Sequence, residues 1–172
     1  MKVYYIPVVF LLFFCCQSIS GQNRNTDIKK HTVYIDVSTR GPVYTINYDR
    51  IFIKRDKVSF SYRIGFFLLK DEIAMPLGIS LITGKHDHHA EFSLTLTPDI
   101  DRFNYLFREG NVSDKYLYIT PGFGYRYQKP EGGLFIKALV APMILLDPPS
   151  DDFWNMDPKL YPLLTVGTGI SF

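Results

Sequence analysis

The chain has 172 residues, a formal net charge of +2, 47% hydrophobic residues and 16% aromatic residues. This balance excludes a strongly basic nucleic-acid-binding protein and an acidic solvating segment. The 14 Phe and 12 Tyr residues exclude a disordered chain. The length is sufficient for one domain with a substantial core.

The first 21 residues have the pattern of a targeting segment. Lys2 is followed by an apolar run from Val3 to Cys16 and then by small residues up to Gly21. This order is typical of a secretory signal peptide. The run is too short for a membrane-spanning helix, which needs about 20 apolar residues. We therefore expect residues 1–21 to be cleaved and residues 22–172 to form a single domain without cysteine.

From His31 onward, apolar and polar residues alternate with a period of two in eight blocks of about ten residues. The third block is the clearest, with Phe60 and Ile64 on one face and Ser61 and Arg63 on the other. Turn signals separate the blocks, and no block has a helical period. The pattern predicts an antiparallel meander. Because closure removes the free edges of a sheet, we expect an eight-stranded up-and-down β-barrel.

The side chains on the two faces of these strands indicate which face points inward. One face is bulky and apolar, and the other is rich in Ser, Thr and Gly with isolated charges. An eight-stranded barrel has a narrow interior, so the small residues fit inside and the large residues fit outside against lipid. The pattern favours a transmembrane β-barrel with a polar, small-residue lumen and an apolar outer face. A soluble, lipocalin-like periplasmic binding barrel, with the apolar face inside, is the alternative.

Two connections between the predicted strands are long, at residues 98–114 and 146–160. Both follow an odd-numbered block, so both lie at the end of the barrel opposite the termini. Outer-membrane barrels have short periplasmic turns and longer external loops. The lengths therefore predict that both termini are periplasmic.

The last nine residues resemble the C-terminal signal that the barrel-assembly machinery reads, which is a final aromatic residue after alternating apolar positions. The matching positions are Val166, Thr168, Ile170 and Phe172. Together with the predicted signal peptide and strands, they make the chain resemble small outer-membrane β-barrel proteins of Gram-negative bacteria, of the eight-stranded OmpA/OmpX size class. The resemblance implies a monomer in the cell outer membrane, with outer-membrane lipid and the barrel-assembly machinery as partners. No nucleic-acid partner is expected.

Charged residues on the small-residue face predict a network inside the lumen. We expect Glu91 to lie between Arg126 and Lys137, with Asp49 at a similar depth. Buried charges are tolerated when they are paired and hydrogen-bonded. The network favours a polar plug, with a gated or ion-selective path as the alternative. Its predicted members, including an Asp36–Arg63 pair above the others, are Asp36, Asp49, Arg63, Glu91, Arg126 and Lys137.

Two groups of residues have side chains that suit metal ions, but neither predicts a metal site. Imidazole suits zinc, copper or nickel, and carboxylates suit calcium. The first group lies in a predicted periplasmic turn, and the second fits a solvated face of the last external loop. We expect no metal and no cofactor. The two groups are His86, Asp87, His88 and His89, and Asp147, Asp151, Asp152 and Asp157.

His89, Glu91 and Ser93 alternate on one predicted strand and carry the groups of a catalytic triad. Residues two apart on a strand are separated by about 7 Å, which is too far for a hydroxyl to bond to the ring. Their face also points to the lumen, away from lipid substrate. We therefore predict no catalysis, with a lipid-modifying outer-membrane enzyme as the alternative.

Overall fold

A computed structural model describes residues 29–55, 57–101, 114–147 and 158–172. The predicted signal peptide and most of both long connections lie outside these ranges. Within them, no helix is long and apolar enough to cross a membrane. The strands are β1 (His31–Ser38), β2 (Tyr44–Lys54), β3 (Val58–Leu69), β4 (Glu72–Ala74), β5 (Leu77–Lys85), β6 (His88–Asp101), β7 (Asp114–Gln128), β8 (Gly133–Asp147) and β9 (Lys159–Ser171).

The sheet closes into a barrel of antiparallel strands. Strands β4 and β5 both pair with β3 and with β6, so together they occupy one position in the ring. Strand β1 pairs with both β2 and β9, which closes the sheet. At this junction the His31 N–H donates to the Phe172 carbonyl at 3.2 Å and the Phe172 N–H donates to the His31 carbonyl at 2.8 Å. The predicted eight-stranded up-and-down barrel is confirmed.

The fourth predicted strand is interrupted in the structure. Met75 and Pro76 separate β4 from β5, because proline has no N–H to continue the ladder. Backbone hydrogen bonds with β3 and β6 still keep Met75 and Pro76 in the sheet. The Gly65 N–H donates to the Pro76 carbonyl at 2.7 Å, and the Met75 N–H donates to the Pro98 carbonyl at 3.1 Å.

The predicted strand lengths and loop limits need correction. Strand lengths vary from 3 to 15 residues rather than clustering near ten. Strand β6 continues to Asp101, so the connection expected at 98–114 begins later. Strands β8 and β9 likewise extend into the connection expected at 146–160. Turn residues in the sequence indicate where the chain reverses direction. They do not indicate how far the paired strands extend into a long loop.

The outward position of the large apolar side chains is confirmed. In the described ranges, 28 large apolar residues are exposed, and we call this outer surface the apolar belt. A soluble barrel would bury Phe60, Ile64, Leu94 and Val166 against one another. These side chains are instead 39%, 48%, 47% and 51% exposed. This excludes the lipocalin-like arrangement.

The lumen is filled by polar side chains and a few large apolar ones. Among the buried polar residues are charged ones such as Glu91 and Arg126, and Ser and Thr hydroxyls occupy further lumenal positions. The rings of Tyr34 and Phe135 also point inward, with centroids 4.8 Å apart. Alternation along β1 and β8 places these rings on the lumenal face. The interior is therefore closely packed rather than an open pore.

Glycines allow the strands to approach these inward rings. A Cβ atom at Gly169 on β9 would collide with the Val33 carbonyl oxygen and with Tyr34 on the paired strand β1. The Val33 oxygen is a backbone atom, and the Tyr34 Cβ is attached directly to the backbone, so neither can move away without a shift of β1. The closing β1–β9 junction therefore requires glycine at this position.

We predict that Gly169→Ala prevents stable closure of the barrel, because the added methyl group forces β1 and β9 apart. The control is Gly78→Ala. A Cβ there would meet the Thr95 Oγ1 at 3.1 Å and the Arg63 Nε at 3.3 Å, and both belong to side chains that can shift. Heat-modifiable gel mobility measures the folded fraction. Equal folded fractions for the two variants would contradict the prediction.

Candidate functional site: a charge network in the lumen

The strands deliver four charged side chains to one level of the lumen. Arg126 on β7 and Lys137 on β8 are cross-strand partners, and Glu91 lies on the adjacent strand β6. Asp49 on β2 faces them from across the barrel. The side chains of all four are at most 1% exposed. The alternation of β-strands explains why each points inward.

Arg126 joins distant parts of the barrel wall. Its Nη2 donates to the Asp49 Oδ1 at 2.8 Å, and its Nη1 lies 3.5 Å from the Glu91 Oε2. The Lys137 Nζ donates to the other carboxylate oxygen of Glu91 at 3.2 Å. Glu91 therefore lies between two cations, and Asp49 neutralises the far side of the guanidinium.

A second ion pair lies further from the termini. The Arg63 Nη1 donates to the Asp36 Oδ2 at 3.2 Å, and its Nη2 donates to the Thr95 Oγ1 at 2.6 Å. Thr95 is four residues further along β6 than Glu91, which places this pair at a higher level. The Asn47 Nδ2 also donates to the Asp36 Oδ2, at 3.4 Å. The structure thus brings all six predicted residues into two adjacent layers, which we call the charge network.

Uncharged side chains form further hydrogen bonds with the network, and the sequence analysis missed them. The Ser80 Oγ donates to the Glu91 Oε1 at 2.9 Å, and the Ser61 Oγ donates to the Asp49 Oδ2 at 2.9 Å. The Arg126 Nε donates to the Gln128 Oε1 at 2.8 Å. Ser61, Ser80 and Gln128 all have the lumenal parity of their strands. Parity was therefore the available signal, although it does not say which carboxylate each group meets.

Aromatic rings support the two buried cations. The guanidinium of Arg126 lies 4.8 Å from the ring centroid of Phe135, and the Lys137 Nζ lies 5.1 Å from that of Tyr34. A desolvated cation over an aromatic face is stabilised by the ring quadrupole. The rings also exclude water from the contacts between the opposite charges.

The charge network contains three carboxylates and three cations. Each member is balanced inside a poorly hydrated space, and removal of one member leaves an uncompensated charge. The network can fill and cross-link the lumen. At the level of Glu91 and Arg126, every charged group has a partner of the opposite sign.

The residues considered for catalysis or metal binding do not come together. The His88 Nδ1 lies 2.6 Å from the Tyr125 hydroxyl, and the His89 Nε2 lies 3.3 Å from the Gln128 carbonyl. Glu91 contacts cations rather than His89. In the described parts of the chain, no group of three or more His, Cys, Asp or Glu is placed to hold a metal. Asp151, Asp152 and Asp157 lie outside the described residues.

The four residues of the C-terminal pattern share the outer face of β9. Val166, Ile170 and Phe172 are exposed members of the apolar belt, and Thr168 lies between them. Strand β9 pairs with both β8 and β1, so it forms the last junction of the barrel. The Phe172 ring stacks on His31 with centroids 5.9 Å apart.

The fold is similar to that of a solved β-barrel domain. The crystal structure of the N-terminal β-barrel domain of Pseudomonas aeruginosa OprF matches with a TM-score of 0.50 and 15% sequence identity. The match covers 83% of this chain and 98% of that domain. No protein-family model and no curated protein matches the sequence. The class of protein defined by fold and surface is thus the closed eight-stranded barrel with an apolar exterior.

We predict that Glu91→Gln and Lys137→Met each destabilise the barrel by about 3–5 kcal/mol, because each leaves a buried charge without its partner. The double variant restores neutrality, so its loss should be smaller than the sum of the two single losses. The free energy of unfolding is measured by urea titration in vesicles. Glu131→Gln with Lys129→Met, both exposed in a turn, is the control pair. Additive losses for the lumenal pair would contradict the coupling.

Proposed function

We propose that this chain is an integral outer-membrane β-barrel of structural or surface-interaction type, with a plugged lumen and no catalysis. The observation that carries the proposal is the inverted distribution of side chains, with an apolar belt outside and a charge network inside. Soluble monomers rarely expose contiguous apolar patches larger than a few hundred Å². A belt that surrounds a barrel fits hydrocarbon, and the closed ladder satisfies the backbone groups that lipid cannot.

The outer membrane is the proposed location for three reasons. The sequence has a predicted signal peptide at residues 1–21, it resembles small Gram-negative outer-membrane barrels, and its fold is similar to the OprF barrel domain. Residues 98–114 and 146–160 contain the long connections, which would then face the exterior and offer the surface for interactions. Both termini would face the periplasm.

The C-terminal strand supports a role for the barrel-assembly machinery as a partner during insertion. Val166, Ile170 and Phe172 present an apolar surface on the outer face of β9, next to the β1–β9 junction that closes the ring. A factor that holds β9 before closure would contact these side chains first. The mature barrel is proposed to be a monomer whose remaining partner is outer-membrane lipid.

Ile79→Arg tests whether the apolar belt faces hydrocarbon. Ile79 is 59% exposed on β5, and its partner Leu94 lies in the middle of the outward residues of β6. In a bilayer we expect a loss of about 2–4 kcal/mol in the free energy of unfolding, since Arg at the midplane of a barrel is costly. Glu131→Arg, in an exposed turn, should have little effect. If the protein is soluble without detergent and tolerates both changes equally, the membrane proposal is wrong.

Planar-bilayer recordings test the plug. We expect no discrete ion channels from the wild-type barrel, because Arg126 and Lys137 are held by Asp49 and Glu91 inside the lumen. The control is a large outer-membrane pore reconstituted in the same bilayers. Clear unitary conductance from folded wild-type protein would replace the plug with the ion-path alternative.

A further inference from the structure

Three prolines form a row across neighbouring strands on the outer face. Pro142 on β8 lies directly opposite Pro162 on β9. On the other side, Pro121 on β7 lies opposite Leu94 on β6. Leu94 is in the middle of the outward residues of β6, so the proline row crosses the middle of the apolar belt.

The ladder between β7 and β8 is interrupted at this row. Pairing stops at Ile119–Ile144 and resumes at Phe123–Val140, and the midpoint of the gap places Pro121 opposite Pro142. Neither proline has an N–H, so two donors are missing at one position of an antiparallel pair. Separation of the strands at this point therefore breaks no backbone hydrogen bond between them. In lipid, where most barrel positions are closed by such bonds, this is a weak point of the wall.

Cavities lie on both sides of the weak point. An outer groove of about 840 Å³ is formed by the proline row and its neighbours on β7, β8 and β9. A lumenal cavity of about 60 Å³ lies above the Glu91–Arg126 layer of the charge network and is lined in part by Arg63 and Asp36 of the upper layer. Gly122, Ala141 and Leu163 line both cavities. The wall between the lumen and the outer face is thus one layer of mostly small residues.

The lining changes from apolar in the outer groove to mixed in the lumenal cavity. In the outer groove, the Thr39 hydroxyl is the one polar side-chain group among its described lining residues. On the lumenal side, Leu139, Met143 and Leu163 line the part of the cavity formed by β8 and β9, whereas the hydroxyls of Ser93, Thr95 and Thr120 line the part formed by β6 and β7. An apolar groove that opens into the belt and continues along Leu139, Met143 and Leu163 suits a single hydrocarbon chain. The lumenal cavity is too small for a drug-sized ligand, which needs about 300 Å³ or more.

We propose that the gap between β7 and β8 is a lateral portal, in which one acyl chain of a membrane lipid occupies the outer groove and inserts its end into the lumenal cavity. The inference rests on the proposed membrane location, because only there is the groove bathed in hydrocarbon. The Glu91–Arg126 layer of the charge network, which lies below the cavity, limits the depth to which the chain inserts. A protein partner is less well suited, because the passage behind the groove is too narrow for backbone.

The first experiment restores the missing donors. Pro121→Ala with Pro142→Ala supplies two N–H groups and should close the ladder. The substitutions alter the outer groove but none of the residues that line the lumenal cavity. Pro162→Ala is the matched control, because the β8–β9 ladder at Pro142–Pro162 is continuous. Each folded barrel is placed in vesicles of phosphatidylcholine that carries a diazirine near the end of one acyl chain. After illumination, mass spectrometry maps the labelled residues.

We expect the wild-type barrel and Pro162→Ala to be labelled at lumenal Leu139 and Met143 and at outward Val140 and Leu164. The double Pro variant should lose the lumenal labels and keep the outward ones. Lumenal labels that are absent in the wild type, or that persist unchanged in the double Pro variant, would overturn the portal.

A disulfide clamp provides a second and independent closure. A Cβ at Gly122 would lie 3.7 Å from the Cβ of Ala141. This matches the separation of about 3.5–4.5 Å that a disulfide requires. The Ser93 Oγ lies 2.7 Å from the same point, so Ser93→Ala is added to Gly122→Cys with Ala141→Cys. Oxidation should abolish lumenal labelling, and reduction of the same protein should restore it.

Labelling patterns also separate failure of the portal from failure of the membrane proposal. If lumenal labels survive oxidation of the clamp, lipid reaches the cavity by another route and the portal is wrong. If only Val140 and Leu164 are labelled in every sample, the barrel lies in lipid and the portal is likewise wrong. If neither outward residue is labelled in any sample, the membrane location itself fails, and the portal fails with it.

Discussion

Closure of a small ring of strands is the constraint on which the rest of the structure depends. Eight strand positions give an interior wide enough only for side chains. Each residue that points inward must therefore fit beside residues from the far wall, as Arg126 does when it reaches Asp49 across the lumen. The same closure removes every free strand edge, so nearly all backbone groups can be satisfied without water. The narrow lumen and the apolar exterior are two results of one geometry.

The charge network meets this constraint by mutual neutralisation. Water cannot hydrate Glu91, Arg126 or Lys137, whose side chains are at most 1% exposed. Stability of the buried charges therefore depends on close partners, and the Ser61 hydroxyl satisfies the Asp49 oxygen that Arg126 does not reach. The rings of Phe135 and Tyr34, which pack against Arg126 and Lys137, complete the packing. The lower lumen is consequently cross-linked between strands that are far apart in sequence.

The upper lumen is organised differently. Leu139, Met143 and Leu163 line one side of the cavity, and the β7–β8 ladder beside them is interrupted by prolines. Proline is rare within sheets because it removes a ladder bond, so two facing prolines concentrate the loss at one place. A barrel that is tightly cross-linked at one level can tolerate a weak wall at the next. The interrupted part of the β7–β8 ladder thus lies one level above the contacts of Arg126 with Asp49 and Glu91.

The sequence alone determined the faces of the strands and much of the lumen. A period of two is local, so it assigned Glu91, Arg126 and Lys137 to one face and Ile64 and Val166 to the other. The meander pattern also indicated that consecutive strands are neighbours, including the two joined by the long connection expected at 98–114. For that reason, the contact of Glu91 with residues on the next two strands followed from the order of the strands along the chain.

Only the tertiary structure decided features that depend on register around the whole ring. The contact of Arg126 with Asp49 crosses the lumen, and its level depends on the accumulated stagger of the strands between them. The break at Pro76 and the meeting of Pro121 with Pro142 depend on register between two strands, which no single segment encodes. Periodicity gives the direction of each side chain, whereas stagger and tilt give its partners, and these arise only when the sheet closes.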